Sequence, residues 1–397
     1  MSGIAAARLA DAAGDLCIEA GVGGLTMRAL ADRVGVTPPA VVYHFRNRDR
    51  ILLAALGALQ RRIAVAYDAI GVALSSAGDG GFGAEAVFSA ALVDVLARTG
   101  RAFAASDEIA RTLAISEESA GADAVFRLMS GEAQAFWAGL PCDGNVLDAE
   151  ARMLCGVVAA GVVPFAMLDG VAVRRNAQII QLMSRLVRRL TGQCVDLMGD
   201  WTPLALLEDE QRPDGKQQIV EATIRLSGRL GIAGLTHRNI AAEAGLSAAA
   251  TTYFYPTKED IVRDAARAVQ VRAVNDVLVG DVPPPQFLSR IILDENCDER
   301  NDIAALTAFM NAATHFGEFD YLAETFRNLR GLAAVSWLHA RGYVEVDRLD
   351  GIIWSAATTI LTQRALRMPR AARAEYLDTT SDVWLRRIFD RNRAVQI

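Results

Sequence analysis

The chain of 397 residues is 52 % hydrophobic and 22 % charged, a balance that supports large apolar cores and a length that exceeds one ordinary domain. Its net charge of −6 excludes a uniformly basic nucleic-acid coat and leaves local patches open. Five scattered cysteines, Cys17, Cys142, Cys155, Cys194 and Cys297, are odd in number and never form a C-x-x-C pair, so they indicate neither a disulfide framework nor a zinc site and fit a reducing cytoplasm.

Val, Ile and Thr do not gather into alternating runs, whereas Ala, Leu, Arg and Glu recur at three- and four-residue spacing, so the predicted fold is all-α. The opening MSGIAAARLADAAG is interrupted by Asp11 and Asp15 and does not read as a secretion leader. A first amphipathic helix ends at Gly21. A second is capped by Thr26, and a third starts after the turn Gly35-Val36-Thr37, where Gly tolerates a positive φ and Thr caps. A fourth begins at Arg48, and residues 1–55 form one predicted domain.

Residues 56–199 read as a helical core, with GDGGFG at 78–83 as a helix-helix loop. Its apolar run Met153 to Leu168 contains Pro164 and, at sixteen residues, falls short of the roughly 20 needed to span a bilayer. It reads as a buried core helix, so no membrane association is expected. A polar stretch containing Pro213 closes a linker at 200–213. Residues 214–265 repeat the first domain, and 266–397 form a second helical core. Each core ends in two long helices, 148–168 with 173–191 and 346–368 with 370–391. Arg188-Arg189 and Arg386-Arg387 occupy corresponding places near their ends.

Residues 12–55 align with 222–265 at a constant offset of 210 without a gap, with thirteen identities in 44 positions. These include Gly21/Gly231, Gly24/Gly234, Leu25/Leu235, Thr26/Thr236, Arg28/Arg238, Gly35/Gly245 and Tyr43/Tyr253. A duplicated supersecondary unit follows. Two short helices joined by a tight Gly-containing turn form a helix-turn-helix, which places its second helix in the DNA major groove. The stretches GLTMRALADRVGVTPPAVVYHFRNRDRIL and GLTHRNIAAEAGLSAAATTYFYPTKEDIV resemble the DNA-binding domain of the TetR family of bacterial transcriptional regulators.

That resemblance implies a helical core that binds a small-molecule effector and a family subunit that acts as a homodimer. Here two such subunits look fused into an intramolecular pseudo-dimer on double-stranded operator DNA. The expected function is a regulator, most often a repressor in that family, released by its ligand and bound to an asymmetric operator. The other reading is a ligand- or partner-binding helical module that has lost operator binding.

Thr26, Arg28, Tyr43 and Arg48, with Thr236, Arg238, Tyr253 and Lys258, are the candidate phosphate contacts. Each has a capping, packing or solvated alternative. Base reading falls to Thr37, Pro38, Pro39, Val41 and His44 in one head and Ser247, Ala248, Ala249, Thr251 and Phe254 in the other. Small apolar groups meet thymine methyls, and Thr or Ser bonds several base edges. Residues 1–56 carry net +1 and 214–266 net 0, so affinity should be salt-dependent; Arg46, Arg48 and Arg50 suggest a firmer grip by the first head.

Pocket candidates are Phe103, Phe126, Met129, Trp137, Met153 and Phe165 in the first core, and Phe309, His315, Phe316, Trp337 and Trp354 in the second. Aromatics at helical spacing also serve as packing. No nucleophile elbow, H-E-x-x-H or P-loop occurs, so no enzyme, cofactor or metal is expected.

Overall fold

The computed structural model describes residues 2–76, 81–114, 116–142, 146–197, 205–232, 234–279, 302–315 and 320–390, and every regular element among them is a helix. The first head comprises α1 (Ser2–Gly24), α2 (Met27–Val34), α3 (Pro38–Phe45) and the start of α4 (Arg48–Ser75). The second comprises α9 (Asp214–Leu230), α10 (His237–Ala244), α11 (Ala248–Phe254) and the start of α12 (Lys258–Val279). The backbone repeats as the sequence does. Gly21 and Gly231 take φ 65°, ψ 178° and φ 68°, ψ 172°, a region open essentially to glycine alone. Gly35 and Gly245 end the second helix of each head at φ 74° and 69°.

The expected boundaries at 55 and 265 fall inside α4 and α12. Head and core therefore share a continuous helix in each half.

Between the heads lie α5 (Ala84–Leu113), α6 (Ser119–Gly139), α7 (Ala149–Ala166) and α8 (Ala172–Thr191). After the second head come α13 (Asp302–His315), α14 (Asp320–Leu329), α15 (Leu332–Ala340), α16 (Arg348–Leu366) and α17 (Arg370–Phe389). The last two helices pack on α7 and α8 as a four-helix layer between the halves. One continuous apolar core joins Leu154, Val158 and Leu186 of the first half to Ile353, Ala357, Leu361 and Leu385 of the second. A second core surrounds α9, α12, α13 and α14 and takes Leu168 from the first half. Helix α7 is long and apolar enough to cross a bilayer, yet more than half of it is buried within the protein.

The two halves exchange contacts across the four-helix layer in both directions. Near the end of α8, Arg189 donates to both oxygens of Asp350 (3.0 and 2.8 Å) in the first turn of α16 and to the Glu345 carbonyl. Near the end of α17, Arg387 donates to Asp148 (2.5 Å), the N-cap of α7, and to the Leu190 carbonyl (3.3 Å). The last helix of each half thus meets the start of the penultimate helix of the other. The two sites differ in depth. Arg185 joins the first through Asp347 and Asp350, both at 2.8 Å, and all four side chains there are at most 5 % exposed. At the second, Asp148 is 57 % exposed.

The helices also cross at a glycine. A Cβ on Gly161 of α7 would lie 2.1 Å from the Ala356 carbonyl oxygen of α16, so the backbones touch where no side chain fits.

Candidate nucleic-acid interface and effector cavity

Each head presents its third helix through an N-cap and a tight turn. Thr26 Oγ1 accepts from Ala29 N at 3.0 Å and Thr236 Oγ1 from Asn239 N at 3.1 Å, so both threonines cap. They stay exposed at the helix starts, where phosphates also bind. Pro38 and Pro39 occupy the first two positions of α3, where a missing N–H leaves no helical acceptor unfilled. Ser247 instead caps α11 by accepting from Ala250 N at 3.1 Å. Thr37, Pro38 and Pro39, like Ser247, Ala248 and Ala249, are exposed. Tyr43 and Tyr253 are 82 % and 83 % exposed, which removes the packing alternative for both.

Several expected contacts are corrected by burial. Val41 and Thr251 are fully buried and cannot reach a base; they sit one helical turn before the buried Phe45 and Tyr255 and share their inward face. Val42 and Thr252 are the outward residues at those positions, one step along. Phe254 is half-buried against α9, so close that a Cβ on Gly215 would fall 2.8 Å from its ring. It packs rather than reads. His44 is half-buried and edge-on to Tyr43 with ring centroids 5.4 Å apart.

The cations divide similarly. Arg28 and Arg238 are exposed, and Arg28 approaches Asp32 at 3.9 Å. Arg48 spends its guanidinium on the carbonyls of Val22 (2.7 Å) and Leu25 (3.3 Å). Arg50 pairs with Glu118 at 3.0 Å. The expected firmer grip of the first head thus rests on Arg46, an exposed residue held at φ 62°. Lys258 is half-buried at the start of α12. The second head is tied to the linker instead: Arg212 donates to Asp264 at 2.6 Å and Tyr255 OH donates to the same carboxylate at 2.5 Å. Burial pushes the Asp264 pKa up, but these hydrogen bonds prevail and hold it below the usual carboxylate range.

A cavity of about 180 Å³ opens among α5, α6, α7 and α16. Phe103, Phe126, Met129, Trp137 and Met153 all line it. The other pocket candidates serve elsewhere. Phe165 lies against the second core with Arg330 over its ring at 4.2 Å, and Phe309 is fully buried in that core. Trp337 and Trp354 stack at 5.9 Å within the shared core. Phe316 lies outside the described residues, as does the side chain of His315.

Residues that the sequence did not single out complete the wall: Tyr67, Ser106 and Asp107 from the first half, and Asn311, Gln363, Arg364 and Arg367 from the second. Pro164, also in the wall, withholds the amide that the Ala160 carbonyl would otherwise accept.

One residue beyond Asp107, Glu108 stands between the heads. Its Oε2 accepts from Val22 N at 3.1 Å, and its Oε1 lies 3.8 Å from where a Cβ on Gly231 would be. The ends of both first helices therefore meet one carboxylate on a cavity-lining helix. Nearby, burial first and Glu108 second push the Cys17 thiol up to about 12, so it stays protonated.

The sequence matches the family described as "Bacterial regulatory proteins, tetR family" at residues 9–55 and again at 219–265. These are the two heads. The chain carries two TetR-family DNA-binding domains in tandem. It is 34 % identical over 82 residues to the HTH-type transcriptional regulator PksA of Bacillus subtilis (strain 168), a match covering 20 % of this chain and 40 % of that protein. It is 60 % identical over 45 residues to the tetracycline repressor protein class A from transposon 1721 of Escherichia coli, covering 11 % and 20 %. The chain thus spans less than half the length of these TetR-family relatives.

Proposed function

We propose that the protein is a DNA-binding transcriptional regulator of the cytoplasm, in which both heads of one chain engage the two halves of a single operator. The observation that carries this reading is the reciprocal contact of Arg189 with Asp350 and Arg387 with Asp148. Contact of each half's last helix with the start of the other half's penultimate helix supports a reading of the halves as two protomers of an isologous dimer within one polypeptide. The matched exposure of Tyr43 and Tyr253 supports a shared mode of phosphate contact. Base reading falls to Thr37, Pro38, Pro39 and Val42 in one head and Ser247, Ala248, Ala249 and Thr252 in the other. Because these sets differ, the preferred operator is asymmetric.

Repression released by a small molecule fits the cavity. Helix α5 lines it through Phe103, Ser106 and Asp107 and then meets both heads at Glu108, so a ligand that moves α5 changes the presentation of both heads. The internal use of Arg48 and Arg50 favours the second reading, a ligand-binding module without operator binding. A mobility shift on DNA flanking the protein's own gene, at low and moderate salt, separates the two. Retention that weakens with salt supports the regulator; no retention at low salt supports the second reading.

A further inference from the structure

Taking the cavity as the effector site, we propose that its ligand is a small amphipathic carboxylate of about one aromatic ring, held simultaneously by both halves of the chain. Size sets the first limit: the volume is about 180 Å³, and an apolar cavity of about 150 Å³ accepts benzene. Chemistry sets the second. Much of the wall is apolar and aromatic, with Phe103, Trp137 and Met153 from the first half. The charged side chains in the wall are Asp107, Arg364 and Arg367. Asp107 already accepts from Arg111 at 3.2 Å, so the balance toward a ligand is positive. Arg367 lies over the Phe126 ring, its guanidinium carbon 3.9 Å from the centroid, so a cation and an aromatic of the wall are in contact.

Two further polar groups point to an absent partner. Ser106 Oγ and Asn311 Nδ2 are buried in residues 1 % and 5 % exposed, line the cavity, and have no hydrogen-bond partner among the described residues. Buried donors without partners are uncommon and costly. A carboxylate accepts from both, and from the arginines. Asn311, Arg364 and Arg367 come from the second half and Ser106 from the first, so one ligand bridges the two and the stoichiometry is one per chain.

The test is calorimetric titration of the full chain with benzoate, benzamide and benzylamine at millimolar concentration, with a mobility shift on the same preparation. Benzoate should bind at one site per chain and raise the melting temperature, while benzamide and benzylamine bind at least about ten-fold more weakly, the scale of a lost charge-assisted hydrogen bond. The double variant Arg364→Met/Arg367→Met should lose that preference while keeping its helical circular dichroism. The reversed pair Arg364→Glu/Arg367→Glu should prefer benzylamine.

Equal binding of the three compounds, no binding by any, or unchanged benzoate affinity in the double variant overturns the proposal. Benzoate binding without DNA release upholds the ligand class and removes the effector role. Release by benzamide or benzylamine but not by benzoate overturns the ligand class and leaves that role standing.

Discussion

Replacing Asp350 by Ala should cost about 3–5 kcal/mol of stability, because two guanidinium groups would be left buried with their shared partner gone. The site shows why. Asp350 is fully buried and accepts from Arg185 at 2.8 Å, from Arg189 at 3.0 and 2.8 Å, and from Asp347 N at 3.0 Å. Asp347 can still serve Arg185, whereas Arg189 would keep the Glu345 carbonyl and the face of Phe389 but no carboxylate. The N-cap of α7, which meets Arg387 in the opposite direction across the four-helix layer, supplies an internal control. Asp148→Ala removes the same kind of contact with Arg387, but at 57 % exposure solvent screening limits an ion pair to about 0–1 kcal/mol; loss of the α7 N-cap, where Asp148 accepts from Ala151 N at 2.8 Å, adds about 1 kcal/mol. Urea unfolding of both variants, followed by circular dichroism, measures the difference. Equal costs at the two positions would refute the assignment of a deep and a shallow side to the four-helix layer.

At the reading helices, Val42→Ala should weaken operator binding with stability within about 0.5 kcal/mol, while Val41→Ala should cost about 2 kcal/mol of stability; mobility shift and thermal melts separate them. Gly161→Leu should drive α7 from α16 and destabilise the joined halves, read as a lowered melting temperature with the helical content of each half retained. Because the Asp264 pKa is depressed in the folded chain, its contribution is fully present above the unfolded value of about 3.9 and lost as pH falls through the folded value. The stability gap between wild type and Asp264→Asn should therefore be flat from about pH 5 upward and shrink below about pH 4, as checked by urea titrations across that range. Glu108→Ala should reduce the ligand's effect on DNA binding more than it reduces ligand affinity, as paired titrations with and without operator would show.

The duplication was legible because its markers are residues whose backbone demands are severe. Gly21, Gly35, Gly231 and Gly245 all take the positive φ that their conservation between copies suggests, and Thr26 and Thr236 cap as hydroxyls must at such starts. The paired terminal helices were legible from their length and from the corresponding Arg188-Arg189 and Arg386-Arg387 pairs. What misled was the register within a seven- or eight-residue helix: taking Val41 and Thr251 as outward ignored the i, i+4 relation to Phe45 and Tyr255, which was available. Part of the cavity's first-half wall, Phe103, Phe126, Met129, Trp137 and Met153, was readable from the sequence. Its second-half wall was not, since Asn311, Arg364 and Arg367 reach the cavity only through packing of α13 and α16 across the chain. Glu108 carries no local signal at all, because its role arises where helices 86 residues apart in sequence meet Val22.

The most direct measurement is the mass of the complex on a minimal operator, obtained by light scattering coupled to size-exclusion chromatography. One chain per duplex, with an asymmetric site recovered from random-sequence selection using the same protein, is the expected result. Two chains required on a palindrome would contradict the reading of the duplicated heads as one intramolecular pair.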